Sequence, residues 1–165
     1  MKSVPSIAFA ALLLPAAVMA GETVSGSATI IDGSTLEVGG TTFRLADTVA
    51  PGREQVCHKE NEAWPCGQSA VNTLQRLIAG RTVKCDALER DLDGFPLAVC
   101  YAGDEELNRA MIASGMAVVH WQVGLAYAEI QSVAKAAQLG LWSSTFDDPT
   151  EWRHAHAAGG DPPHS

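Results

Sequence analysis

A Gly39-Gly40 pair set between two alternating runs is the feature that most restricts this chain. Both glycines can adopt φ > 0, as a two-residue hairpin demands, so the runs on either side must be antiparallel neighbours. On one side Leu36 and Val38 alternate with Thr35 and Glu37. On the other, Thr42, Phe43, Arg44 and Leu45 continue outward to an Ala50-Pro51-Gly52 breaker. Upstream, the β-branched run Thr29, Ile30, Ile31 stops at Asp32-Gly33 and adds a third strand. Three short antiparallel strands within residues 28–54 predict a small barrel or sandwich rather than a parallel sheet.

The remaining elements follow in order. Residues 53–65 are polar and irregular and read as a loop. Gly67 to Ala79 carries Ala70, Leu74, Leu77 and Ile78 at the spacing of one helical face, with Gly80 as its stop. Val83 and Cys85 begin a fourth strand, and Leu97, Val99 and Tyr101 form a fifth across the Asp91-Leu92-Asp93-Gly94 turn. A second helix is predicted from about Asp104 to Gly115, with acidic residues in its first turn and Leu107, Ala110 and Met111 inward. Residues 116–121 read as extended. A third helix, about Tyr127 to Leu139, has Ile130, Val133, Ala134 and Ala137 on one side and is closed by Gly140. The class is α+β in the order β-β-β-α-β-β-α-α. After Arg153 periodicity ends, and residues 154–165 read as a disordered tail whose His154, His156 and His164 are solvated rather than metal-bound.

Residues 1–20 have the pattern of an export signal: Lys2, an apolar run through Leu14, a break at Pro15, and a small-x-small site at Val18-Met19-Ala20. The run is too short to span a bilayer. Cleavage is expected before Gly21, the alternative being an uncleaved anchor; residues 21–153 then form one domain, periplasmic or secreted, with no later stretch of membrane-spanning length. Four cysteines in an exported chain read as two disulfides, and zinc is the weaker reading because no C-x-x-C knuckle is present. Counting outward from the Asp91–Gly94 turn sets Cys85 opposite Cys100, where Cα atoms of facing residues lie about 4.5–5.5 Å apart. This leaves Cys57–Cys66 as the second bridge. The net charge of −8 becomes one unit more negative when Lys2 is removed with the signal. Such a chain repels polyanions, which disfavours nucleic acid as a partner.

The order and spacing of Asp32-Gly33-x-Thr35, Arg44-Leu45, Ala50-Pro51, Gly67-x-x-Ala70, Asp91-x-x-Gly94, Leu107-Asn108, Gly115-x-Ala117, Gly140-x-Trp142 and Trp152-Arg153 resemble the staphylococcal nuclease (thermonuclease) family. The resemblance runs from about Ser25 to Arg153. It is closest to the exported bacterial branch, which carries two cysteine pairs and a closing P-x-x-W-R, here Pro149 to Arg153. It implies a five-stranded OB-fold β-barrel with three helices. It also implies calcium-assisted phosphodiester hydrolysis, in which carboxylates hold the metal, a glutamate positions or activates water, and two arginines clamp the phosphorane charge.

Carried over residue by residue, that apparatus is mostly missing. Asp32, Gly33 and Thr35 match the family's turn, but its metal-ligating acid is Ser34 here. The next metal carboxylate falls on Val49, the general base on Gly52, the second clamp arginine on Phe95, and the nucleotide-stacking aromatic on Asp93. Arg44 is the retained catalytic position, and Asp32 the remaining metal contact.

The expectation is therefore an exported, catalytically inactive binding or scaffolding module that needs no cofactor, with Asp32, Thr35, Asp47 and Trp121 as binding residues. One alternative is a calcium-dependent phosphodiesterase or endonuclease rearranged around Arg44, Asp47, Glu54 and Asp32. Another is an OB barrel that binds oligosaccharide, where acidic charge suits a neutral or cationic glycan; relatives in the exported branch are associated with exopolysaccharide production. A glycan or a protein is then the partner class. In the plain structural reading Arg44 pairs with Asp32 or Asp47, Asn108 anchors backbone, and Trp142 and Trp152 cover the third helix and hold the C-terminal segment down.

Overall fold

The computed structural model describes residues 21–120 and 125–157. The expected signal segment of residues 1–20, Trp121 and His164 lie outside the described residues. The strands are β1 (Thr23–Gly26), β2 (Ala28–Asp32), β3 (Thr35–Val38), β4 (Thr41–Leu45), β5 (Thr48–Val49), β6 (Cys57–Lys59), β7 (Glu62–Trp64), β8 (Val83–Arg90), β9 (Pro96–Ala102), β10 (Glu105–Glu106) and β11 (Val118–Val119). The helices are α1 (Cys66–Ile78), α2 (Leu107–Ala113), α3 (Ala128–Ala136) and α4 (Pro149–Ala157), with single 3₁₀ turns at Leu125–Tyr127 and Gly140–Ser143. No helix among the described residues is long and apolar enough to cross a membrane.

The main sheet runs β1-β8-β9-β4-β3-β2, with β10 added to β9. All its pairings are antiparallel except β4 with β9. Among the described residues no ladder joins the two ends, but β1 and β2 are halves of one extended segment parted at Ser27, so that segment touches both margins of the curled sheet. Counted as one strand beside β3, β4, β8 and β9, it gives the expected five-stranded OB-type, α+β arrangement. The Gly39-Gly40 hairpin forms as the sequence requires, with φ of +58° and +80° and Val38 facing Thr41.

Both expected disulfides are present. Cys85 faces Cys100 across β8 and β9, Cα to Cα 4.1 Å, and Cys57 is bonded to Cys66. Leu36, Phe43 and Leu45 of the sheet, Leu74 and Ile78 of α1, and Met111 and Ile112 of α2 fill the barrel core. A second cluster surrounds the Cys57–Cys66 bridge with Val118, Leu141, Trp64, Trp142 and Phe146. Asn108, fully buried, donates from Nδ2 to the Ala46 and Ala98 carbonyls and accepts from the Cys100 amide, all at 3.0 Å. It ties α2 to β9 and to the end of β4, the anchoring role expected of it.

Several local expectations need correction. The segment 53–65 contains the β6–β7 hairpin, turned at Glu60 and Asn61, which both have positive φ. Three-residue strands are too short to show alternation in sequence. Glu105 and Glu106 pair with Ala102 and Tyr101 as β10, so α2 starts at Leu107 and its first turn carries no acid. A fourth helix, α4, is added to the three expected and runs through Ala157, so His154 and His156 are helical rather than part of a disordered tail. His156 stacks on Trp152 with ring centroids 3.9 Å apart. Trp142 does lie beside α3, under Lys135, but Trp152 packs elsewhere, on Gly52.

Candidate functional site

The β2–β3 turn is shaped by its own residues. The Asp32 carboxylate accepts the Ser34 amide through Oδ1 at 2.8 Å, a local bond that favours a tight turn. Gly33 is obligatory here, because a Cβ would lie 2.6 Å from the Ala70 methyl and 2.7 Å from that of Ala50. The Ser34 hydroxyl accepts the Ala50 amide at 3.1 Å, fastening the turn to the chain leaving β5. Asp32 and Ser34 are both buried.

Arg153 of α4 completes the cluster. Its Nη1 donates to Asp32 Oδ2 at 2.9 Å and its Nη2 to Oδ1 at 3.0 Å. Nη2 also donates to Ser34 Oγ at 3.2 Å and the Ala50 carbonyl at 2.9 Å, which Nε reaches at 3.2 Å. Burial by itself raises the Asp32 carboxyl, but the Arg153 guanidinium, the Ser34 amide and Thr35 outweigh it and hold the group below the usual aspartate value. One residue earlier, the Trp152 ring packs against Gly52: a Cβ there would clash with the indole, 2.6 Å from Cε3.

Calcium does not fit these residues. Both Asp32 oxygens and the Ser34 hydroxyl are used by Arg153. Val49 has no side-chain oxygen and packs against the Cys57–Cys66 cluster. A calcium ion takes six to eight oxygens, usually with more than one charge among them. Among the described residues no group of three or more His, Cys, Asp and Glu is placed to hold a metal.

Arg44 is engaged elsewhere. Its partners are not Asp32 or Asp47, as expected, but Asp91 and Asp93: Nη1 donates to Asp91 Oδ2 at 2.5 Å and to Asp93 Oδ2 at 2.7 Å. The guanidinium carbon stands 4.3 Å from the centre of the Phe95 ring. Burial lowers the guanidinium pKa, but Asp93 and Asp91 reverse that and raise it. The cage lies next to a register shift in the β8–β9 ladder, where Arg90 faces Pro96 instead of Phe95. Asp91 shapes the turn as well, its Oδ1 accepting the amides of Asp93 and Phe95. The residues at the family's aromatic and second-arginine positions thus hold Arg44 instead of a nucleotide.

The other expected site residues do not all converge. Thr35 is buried, faces Arg44 across β3 and β4, and supports Asp32. Asp47 has φ +55° and accepts the His120 amide through its carbonyl at 3.0 Å. Its carboxylate bears on Tyr127, whose phenol is pushed up first by burial, then by its 2.6 Å bond to Glu106. Glu54 is exposed beside Arg53, which donates to the Ile30 and Ile31 carbonyls. Arg153, Trp152, Asp91 and Asp93 were not anticipated as site partners, although the closing Trp-Arg pair was visible as a motif.

An OB-type barrel with an arginine on its third strand, an aspartate closing its first and helices packed as here defines a nuclease-fold protein. The family described as staphylococcal nuclease homologue matches residues 42–144, and the chain belongs to it. It is 36% identical over 138 residues to the succinoglycan biosynthesis protein ExoI of Rhizobium meliloti (strain 1021), covering 81% of this chain and 72% of the relative. An uncharacterized endonuclease of Escherichia coli O157:H7 is 29% identical over 133 residues, covering 76% of this chain and 81% of that protein. A probable endonuclease, LCL3, of Schizophyllum commune (strain H4-8 / FGSC 9210) is 31% identical over 144 residues, covering 73% of this chain and 48% of that protein.

Proposed function

We propose that this is an exported member of the family that does not hydrolyse phosphodiesters and serves as a binding or scaffolding module. The observation that carries the reading is the Asp32–Arg153 pair: the acid left from the metal-binding pattern is consumed by a guanidinium from the chain itself. Ser34, Val49, Gly52 and Phe95 remove two metal ligands, the base and one clamp residue. Catalytic groups of this kind act as a unit, so the losses compound. Arg44 is neutralised by two carboxylates, which leaves little to attract a phosphate. Other cations serve internal roles: Arg53 and Arg81 donate to backbone carbonyls and Lys84 pairs with Asp86. Together with the negative net charge, this argues against nucleic acid as the ligand.

Export is supported by the signal pattern of residues 1–20 and by two disulfides, which persist in oxidising compartments. Both observations support a periplasmic or extracellular location. One observation favours a glycan over a protein as the partner: the name of the 36% identical relative places that protein in polysaccharide biosynthesis, and OB barrels bind oligosaccharides. The decisive experiment is a nuclease assay of the oxidised, refolded protein on single-stranded and duplex DNA and on RNA, with calcium and with a chelator. Cleavage in calcium should not exceed that in chelator; calcium-dependent cleavage lost in Arg44→Ala overturns the reading in favour of the rearranged site.

A further inference from the structure

We infer that Asp32, Ser34 and the Ala50 carbonyl form a guanidinium-binding site, filled in cis by Arg153 and selective for guanidinium over calcium. The inference rests on the non-catalytic reading of the same site and adds the ligand class. The acceptors are held by contacts that do not involve α4. Asp32 is set by the Ser34 amide, Ser34 by the Ala50 amide, and Gly33 is held between Ala50 and Ala70. Two carboxylate oxygens side by side, a hydroxyl and one carbonyl match the planar fork of a guanidinium, which donates from three nitrogens in fixed directions. All three nitrogens are used, in five bonds of 2.9–3.2 Å. The same acceptors offer calcium one charge and too few oxygens.

The aromatic side of the site is built as well. Gly52 leaves a bed for the Trp152 indole, on which His156 stacks. Gln55, buried, accepts the Gly52 amide through Oε1 at 3.2 Å and donates from Nε2 to the Asp147 carbonyl at 2.8 Å, so the bed and the entry to α4 are positioned together. Asp148 caps the helix by accepting the Thr150 and Glu151 amides at 2.8 and 3.2 Å. The arginine is therefore carried on a capped helix to acceptors that have their own contacts within the barrel.

The test uses the full-length oxidised chain carrying Arg153→Ala, with methylguanidinium as the probe. Methylammonium, calcium chloride and sodium chloride at matched ionic strength are the comparisons. The variant should lose thermal stability, and millimolar methylguanidinium should recover most of that loss saturably, with no such gain from methylammonium or calcium. Wild type, whose site is filled, and the double variant Asp32→Asn/Arg153→Ala should show no saturable gain. If Arg153→Ala melts without a clean transition, refolding yield in each salt gives the same comparison. Equal responses to all four salts, or a larger Asp32-dependent gain from calcium, overturn the inference. Its failure is distinguishable from failure of the non-catalytic reading, which would appear as calcium-dependent cleavage by the wild type.

Discussion

Asp32 and Arg153 meet through two parallel N–H···O bonds of 2.9 and 3.0 Å, across a separation of 121 residues. The pair closes the C-terminal helix onto the first turn of the barrel. Removing one partner of a buried pair leaves the other charge uncompensated. A wholly buried pair costs about 3–5 kcal/mol to break, and partial exposure of Arg153 reduces this, so Arg153→Ala is expected to lose about 2–3 kcal/mol. Arg153→Lys keeps the charge but loses the fork and should fall between. Urea unfolding of the three proteins gives the comparison, and a loss below about 0.5 kcal/mol for Arg153→Ala would show the pair to be a surface ornament.

The same pair makes stability depend on acid. The Asp32 pKa is lower in the folded protein than the ordinary aspartate value of 3.8. A depressed carboxyl contributes its full stabilisation above the unfolded value and loses it as pH falls through the folded one. Wild type should therefore exceed Asp32→Asn in Tm at neutral pH, and the gap should narrow only below about pH 4. A gap unchanged down to about pH 2 would mean that the charge on Asp32 contributes nothing.

Asp91 and Asp93 both hold Arg44, yet they are not equivalent. Asp91 has 18% of its side chain exposed and also accepts two amides of the β8–β9 turn, whereas Asp93 is 67% exposed. Asp91→Ala should cost about 1–3 kcal/mol, as expected when backbone donors lose a charged acceptor. Asp93→Ala should cost under about 1 kcal/mol, in the range of exposed ion pairs. Equal losses on denaturant unfolding would show that the turn, not the bonds to it, sets the stability of the cage.

What the sequence made legible was local. Gly39-Gly40 marked its hairpin, the Asp91–Gly94 turn put Cys85 opposite Cys100, and Ala70, Leu74 and Ile78 marked the inward face of α1. The substitutions at residues 34, 49, 52 and 95 were equally plain against the family pattern. Partners were the harder part. Arg44 lies 47 and 49 residues from its carboxylates, and the turn that carries them follows a register shift that alternation does not reveal. Arg153 was legible as a motif, but that Asp32 receives it follows only from how α4 returns to the barrel. The β6–β7 hairpin and β10 are two or three residues each, too short for any periodicity to appear.

The position of Trp152 sets a condition on any attempt to rebuild catalysis. A Cβ on Gly52 already clashes with the indole, so Gly52→Glu strains the contact between α4 and the chain after β5. Overpacking of this kind costs about 1–3 kcal/mol, and Trp152→Ala should relieve it, which a double-mutant cycle measures directly. Val49→Asp adds a second cost, because Val49 packs against the Cys57–Cys66 cluster. Phe95→Arg places a second guanidinium beside Arg44, where Asp91 and Asp93 will bind it rather than leave it for substrate. The combination Ser34→Asp, Val49→Asp, Gly52→Glu and Phe95→Arg is thus expected to stay at the metal-free rate while α4 remains docked. Adding Trp152→Ala, Arg153→Ala and Asp93→Ala should bring the first calcium-dependent cleavage, read on single-stranded DNA. Activity in the four-residue variant with Trp152 and Arg153 intact would show that α4 yields to the new side chains, and that the helix is no barrier to the site beneath it.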